Sequence, residues 1–308
     1  MTHRCALLVG NESDFHLRVV AERLRLRDIQ PLIFDADSLP RIGYSFTSDG
    51  LTIGGTDVKA SSRGWLRRVA PSRWTTGNLV GSVADVSLRA RVSLVASLTR
   101  FRGCDWITRV DALQAAEDRL HQLAMARSIG IVTPKTVVSD DPDWIRRSLG
   151  SDAVLKPLAT GAFVDESGQP QVVHTTELTE EILASGDFAA APFVAQERID
   201  VQRHLRVVTA GSQVRTAAID AADWPLDWRM VEDAHSAWRR HDSPEVESQA
   251  LQLVEALGVG FSSQDWLVPE TGPAVFIDLN PAGQWMFLPE DVAGPITDHV
   301  VGFLSGRR

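Results

Sequence analysis

Near the C-terminal end, SSQDWLVP (262–269) and AVFIDLN (274–280) read as the two strands of a hairpin. Asp265 lies on the first strand, and Asp278 and Asn280 lie on the second. Strand side chains alternate between faces, so Phe276, Asp278 and Asn280 are expected on one side and Val275, Ile277 and Leu279 on the other. Two carboxylates and an amide converging on one face make a set of hard oxygen donors of the kind Mg²⁺ prefers. Strand ends turning into solvent would carry the same residue types, because Asp and Asn favour turns. The companions of the hairpin have to decide between these readings.

Three other segments supply companions. Lys156 sits inside AVLKPL (153–158), among apolar neighbours where a charge needs a partner or a use. The chain's 31 basic residues include only three lysines, Lys59, Lys135 and Lys156, so an ammonium kept in that strand stands out against a background of arginine. FVAQERI (193–199) ends a strand with Gln196 and Glu197 and leaves backbone polar groups that suit the edge of an adenine. Arg206 in HLRVV and Arg229 in DWR add fixed positive charge. Cations for phosphates, with carboxylates and an amide for Mg²⁺, are the parts needed to position and neutralise ATP.

The elements that must hold these residues can be read from periodicity. CALLVG (5–10) and PLIFDAD (31–37) read as strands flanking a helix from about Asp14, with Leu17, Val20, Ala21 and Leu24 on its buried face. This is a βαβ start, but the loop GNESD lacks the glycine pattern of a dinucleotide site. Strand-like pieces fill 44–68. Helices are expected over 82–101, with Val83, Val86, Ala90, Leu94, Ser97 and Phe101 in register, and over 111–129. From 130 onward strands dominate: GIVTPKTVVSD, DAVLKPL, QVVHTT, FVAQERI, HLRVVTA, QVRTAAID and the terminal hairpin. A helix over 244–257 ends at Gly258. The fold class is α+β, with a mostly antiparallel second half.

At 308 residues the chain suits two or three small domains. A formal net charge of −9 argues against general nucleic-acid or membrane binding, so the nine tryptophans are not read as a base-stacking platform. No apolar run is long enough to span a bilayer, and MTHRCALLVGNESD is not a signal peptide, so a cytoplasmic location is expected. Cys5 and Cys104 have no metal or redox spacing and are expected to be reduced. His174 and His204 read as satisfied polar residues. Arg67 and Arg68 fit either a functional role or the capping of the first domain against the second.

In order along the chain, GWLRR (64–68), DWITRVDALQAAEDRLHQLAMARSIGIVTPKT (105–136), VLKPL (154–158), HLRVV (204–208), DWR (227–229) and FIDLNPAGQW (276–285) resemble the ATP-grasp ribosomal peptide maturases, the microviridin-type graspetide ligases. The resemblance implies an ATP-grasp fold with an N-terminal α/β domain over 1–105, a central subdomain over 106–192 and a C-terminal antiparallel-sheet subdomain over 193–308. It implies that Lys156 contacts the α- and β-phosphates, that the segment after Gln196 and Glu197 holds adenine, and that Asp265, Asp278 and Asn280 hold Mg²⁺. Arg206 would face the γ-phosphate or an acyl phosphate, with Arg229 a second candidate. Arg119 stands where many ATP-grasp enzymes have a first nucleotide-binding lysine, and its planar fork differs from a point charge.

The implied activity is phosphorylation of an Asp or Glu side chain of a ribosomally made precursor peptide. A Thr or Ser hydroxyl, or a Lys amine, of the same peptide then displaces the phosphate to form a macrocyclic ester or amide. A RimK-like ligase adding a free amino acid to a carboxyl terminus, and a non-catalytic nucleotide-dependent peptide-binding protein, are the alternatives. Family members are often dimers, which makes a homodimer an option.

Overall fold

The computed structural model describes residues 5–39, 41–48, 50–58, 62–67, 79–150, 152–158, 162–164, 167–184, 193–221, 224–231 and 233–306. The chain opens with β1 (Cys5–Val9), α1 (Phe15–Arg25) and β2 (Gln30–Phe34). The Asp14 carboxylate accepts the Leu17 N–H at 3.0 Å and starts α1, whose Leu17, Val20, Ala21 and Leu24 are buried as the pattern predicts. A small antiparallel meander, β3 (Tyr44–Phe46), β4 (Leu51–Ile53) and β5 (Thr56–Val58), comes next. Then follow β6 (Ser62–Leu66), α2 (Val83–Thr99) and β7 (Cys104–Trp106), and β2-β1-β6-β7 form a parallel sheet.

α2 forms where the pattern predicts a helix, although little of its apolar stripe is buried. Val83 and Val86 are exposed, and the inward residues are Val95, Leu98 and Thr99. Only its last turns reach the sheet, and the apolar residues of its first turns have no described element to pack on.

The helix expected over 111–129 is two helices, α3 (Val110–Ala116) and α4 (Arg119–Ser128). The break lies at Glu117–Asp118, where the Asp118 carboxylate accepts the His121 N–H at 2.9 Å and caps α4. Arg119 thereby opens a helix instead of riding on the middle of one. Next come β8 (Thr136–Ser139), α5 (Pro142–Leu149), β9 (Ala153–Pro157), the hairpin β10 (Ala162–Val164) and β11 (Pro170–Val172), β12 (Thr176–Glu177), α6 (Glu180–Ala184) and β13 (Phe193–Glu197). Their sheet has the order β12-β9-β13-β8, antiparallel throughout.

The last sheet is β16-β15-β14-β17-β18, built from β14 (Val201–Ala210), β15 (Gln213–Asp220), β16 (Arg239–Arg240), β17 (Phe261–Pro269) and β18 (Val275–Asn280). α7 (Pro244–Leu257) covers one face, packing Val246, Ala250, Leu253 and Leu257 on Leu205, Val207, Trp266 and Phe276. The other face is divided. Val208 and Ala210 join a core with α1, Trp65, Trp285 and α8 (Glu290–Leu304), whereas His204 and Arg206, nearer the start of β14, lie beyond that core. α8 was not foreseen, because Gly294 and Pro295 interrupt the helical pattern, yet Val292, Ile296, Val300, Val301 and Leu304 form its buried stripe. Among the described residues, no helix is long and apolar enough to cross a membrane.

Candidate active site

The hairpin that carries the acidic residues does not alternate as a regular strand would. Asp265 is paired with Asp278, but its neighbour Trp266 is paired with Phe276, so Ile277 is an extra residue in β18. This β-bulge corrects the expected faces. Phe276 and Leu279 both point into the core beneath α7, while Ile277, Asp278 and Asn280 line a cavity of about 410 Å³ between the central and C-terminal sheets. Direct pairing brings the Asp265 and Asp278 side chains to one face, and Asn280 follows one repeat further on, opposite Ser263.

Across the cavity, β9 and β13 alternate regularly. Ala153, Leu155 and Ala195 enter the core of the central sheet, and Val154, Lys156 and Gln196 face the cavity. Lys156 Nζ donates to Gln196 Oε1 at 2.8 Å, and Gln196 Nε2 donates to Thr136 Oγ1 at 3.0 Å. Glu197 accepts the Lys135 N–H at 2.9 Å. With both side chains engaged and the Arg198 N–H donating to the Asp152 carbonyl at 3.2 Å, a ligand at this edge meets main-chain groups of Arg198 and Ile199 beside the apolar walls of Pro134, Val154, Ile199 and Ile277. Burial, reinforced by the nearby Arg119 charge and offset in part by Asp278, pulls the Lys156 ammonium down to about 8.

The charges are arranged as a connected chain. Arg119 Nε and Nη2 donate to Asp278 Oδ1 at 3.3 and 3.2 Å, and its Nη1 donates to the Pro157 carbonyl at 2.8 Å, tying the acidic strand to the lysine strand. Arg206 Nη1 lies 2.5 Å from Asp265 Oδ1, and Arg229 Nη2 lies 3.7 Å from Asp265 Oδ2. Burial raises the Asp265 carboxyl, but Arg206 and Arg229 overcome it and hold the group below its ordinary range. Eight of the nine residues singled out from sequence line the cavity; Arg206 does not, being drawn aside onto Asp265.

Three residues were undervalued by the sequence. Arg67 is fully buried; its Nε donates to Asp14 Oδ1 at 3.3 Å, and its Nη1 donates to the carbonyls of Ala282 and Gly283. His16 Nε2 accepts the N–H groups of Trp285 and Met286 at 3.1 and 3.2 Å. Together they clamp the loop that leaves the acidic strand, which settles Arg67 as a buried joint; Arg68 lies outside the described residues. Gly283 is required there, because a Cβ would collide with that of Ser263. Asp227 is the third. It is 3% exposed and bonded to Arg229 and His174, so DWR is a buried anchor as much as a source of positive charge. Six of the tryptophans, Trp65, Trp106, Trp228, Trp238, Trp266 and Trp285, are buried, whereas Trp144 is exposed; Trp285 packs against His16, Trp65 and Phe261.

Two antiparallel sheets closing on a cleft, one bearing a lysine and the other an acidic hairpin, beside an N-terminal parallel sheet, are the fold that this chain shares with solved ATP-grasp proteins. Macrocyclase MdnC of Microcystis aeruginosa MRC, solved bound with the precursor peptide MdnA, superposes with a TM-score of 0.83 at 22% identity, over 98% of this chain and 99% of that one. The RiPP-associated ATP-grasp ligase of Chryseobacterium gregarium, in complex with ADP and a leader and core peptide, gives 0.81 at 18% identity, over 98% and 97%. ATP-grasp ligase PsnB, complexed with minimal precursor, Mg and ADP, gives 0.77 at 21% identity, over 98% of each chain. Searches against protein-family models and curated proteins gave no match.

Proposed function

We propose that this protein is an ATP- and Mg²⁺-dependent, ADP-forming ligase that activates Asp or Glu side chains of a ribosomally made precursor peptide and closes them into side-chain macrocycles. The observation that carries this reading is the convergence of Lys156, Arg119, Arg229, Asp265, Asp278 and Asn280 on one cavity between two sheets. Similar structures hold ADP, Mg or precursor peptides, which supports the same division of labour.

Two carboxylates and an amide on directly paired strands fit a hard divalent cation. Asp265, Asp278 and Asn280 would hold Mg²⁺, which when bound supplies charge neutralisation along the phosphate chain. Lys156 and Arg119 bind and orient the α- and β-phosphates, and the main chain after Glu197 receives the adenine. Arg206 and Arg229, both aimed at Asp265, stabilise the charge on the transferring phosphoryl group and on the acyl phosphate. Because nucleophile and acyl phosphate belong to one bound peptide, the second step gains from a high effective concentration and needs no free amine.

Mass spectrometry tests the proposal. Purified protein with ATP, Mg²⁺ and a short acidic, threonine-containing peptide found by reading the open reading frames beside its gene should release ADP and phosphate, and the peptide should lose one water per ring. A peptide that gains mass only when a free amino acid is supplied would overturn the macrocyclase reading in favour of amino-acid addition.

A further inference from the structure

The two chemical steps differ in one respect. A carboxylate attacks the γ-phosphate without losing a proton, so fixed positive charge suffices. A hydroxyl that displaces phosphate from the acyl group must lose its proton as it attacks. The carboxylates around the cavity are already engaged: Asp265 with Arg206 and Arg229, Asp278 with Arg119, and Glu197 with the Lys135 N–H.

One imidazole on the cavity wall is oriented for the task. His174 Nδ1 lies 3.3 Å from Asp227 Oδ2, and the Asp227 carboxylate also accepts from the Thr175 N–H at 3.4 Å and from Arg229 Nη1 at 3.0 Å. Burial pushes the Asp227 carboxyl up, but Arg229, its N–H, His174 and the Thr175 N–H together hold it below the ordinary range. An ionised carboxylate only accepts, so it fixes the proton on His174 Nδ1 and leaves the lone pair on Nε2. Asp227 is 3% exposed and His174 is 36% exposed, a buried orienter behind an accessible base. Through Asp227 the imidazole is two ion pairs from Asp265, 3.0 Å to Arg229 and 3.7 Å onward.

Resting on the ligase reading above, we propose that His174 is the general base of ring closure. Nε2 takes the proton of a Thr or Ser hydroxyl as that oxygen bonds the acyl carbon. The C–O bond to phosphate breaks and inorganic phosphate leaves with the electron pair. The imidazolium then returns its proton to phosphate or water. His204 also lines the cavity, and burial pushes its imidazolium below the ordinary range, but it has no hydrogen-bonding partner among the described residues to orient it.

The test uses the purified precursor peptide that loses water in the assay above, with hydroxylamine added to trap the acyl phosphate as a hydroxamate. His174→Gln should slow ring closure by about 10²-fold or more and shift the partition from ring toward hydroxamate. The acid limb of the ring-closure pH profile should disappear with it, and added imidazole should partly restore His174→Ala. Equal loss of ring and hydroxamate without imidazole rescue would overturn the proposal, leaving His174 as a prop for Asp227. So would an unchanged partition, or the expected pattern in His204→Gln instead. Failure of the ligase reading is seen separately: the wild-type protein would then form neither product.

Discussion

Replacing Lys156 by methionine probes the proposed nucleotide cradle with a sign that can be worked out beforehand. The ammonium is lowered from the usual 10.5 to about 8, by burial first and by Arg119 next, which corresponds to a penalty of about 3 kcal/mol for charging it among these neighbours. A polyphosphate laid against Nζ favours the charged form and lifts the group back toward its ordinary range. Below pH 8 the free protein already carries the proton and binding takes up little. Between pH 8 and 10 the free protein has lost it and the complex regains it, so affinity should fall by up to about tenfold per pH unit, with uptake approaching one proton. Lys156→Met should weaken ATP binding at pH 7 by about 10- to 150-fold, the equivalent of roughly 1.5–3 kcal/mol for a charge-assisted contact, and should flatten the alkaline slope. Calorimetry with a non-hydrolysable ATP analogue, in buffers of differing ionisation enthalpy, reads affinity and proton uptake together. A Lys156→Met variant that binds as tightly as wild type, or that keeps the slope, would refute the assignment.

Other expectations follow from the same geometry. Asp278→Asn and Asn280→Ala should abolish peptide-dependent ADP release while thermal unfolding moves by only a few degrees, since neither side chain belongs to a core cluster. Arg67→Met should destabilise the fold by about 3–5 kcal/mol in urea titration, because it removes the buried guanidinium that neutralises Asp14 and ties down the carbonyls of Ala282 and Gly283; a loss below about 1 kcal/mol would show that the joint contributes little. Trp285→Ala, by removing a fully buried ring, should cost about 3–5 kcal/mol in the same titration. Cys104, buried and pushed up to about 12, should stay silent to thiol reagents in native protein and react only after unfolding, as followed by labelling and intact mass.

Much of the site could be read from sequence because its residues contradict their surroundings: a lysine in an apolar strand and carboxylates at the end of another are locally unfavourable and therefore conspicuous. What could not be read is parity and distance. Alternation placed Phe276 beside Asp278, and the bulge at Ile277 reversed it without altering composition or spacing. Arg119 read as mid-helix until Asp118 proved to be a cap. His174 and Asp227 are 53 positions apart, and only the folded chain pairs them. α8 was hidden by Pro295, a residue whose local preference is overridden by a buried stripe on both sides of it.

The clamp of Asp14, His16 and Arg67 on residues 282–286 bears on how chains of this fold can be recombined. The loop leaving the acidic strand is held by side chains from the opposite end of the chain, and the core around Trp285 includes α1 and Trp65 as well as α8. A chimera that grafts a foreign N-terminal sheet onto this C-terminal half would need to transplant Asp14, His16, Trp65 and Arg67 as one cassette. The natural seam for exchange lies instead around the sheet β12-β9-β13-β8, where Ile145, Leu155, Leu183 and Ala195 form a small core of their own among the described residues, whereas α3 and α4 pack into the cores on either side.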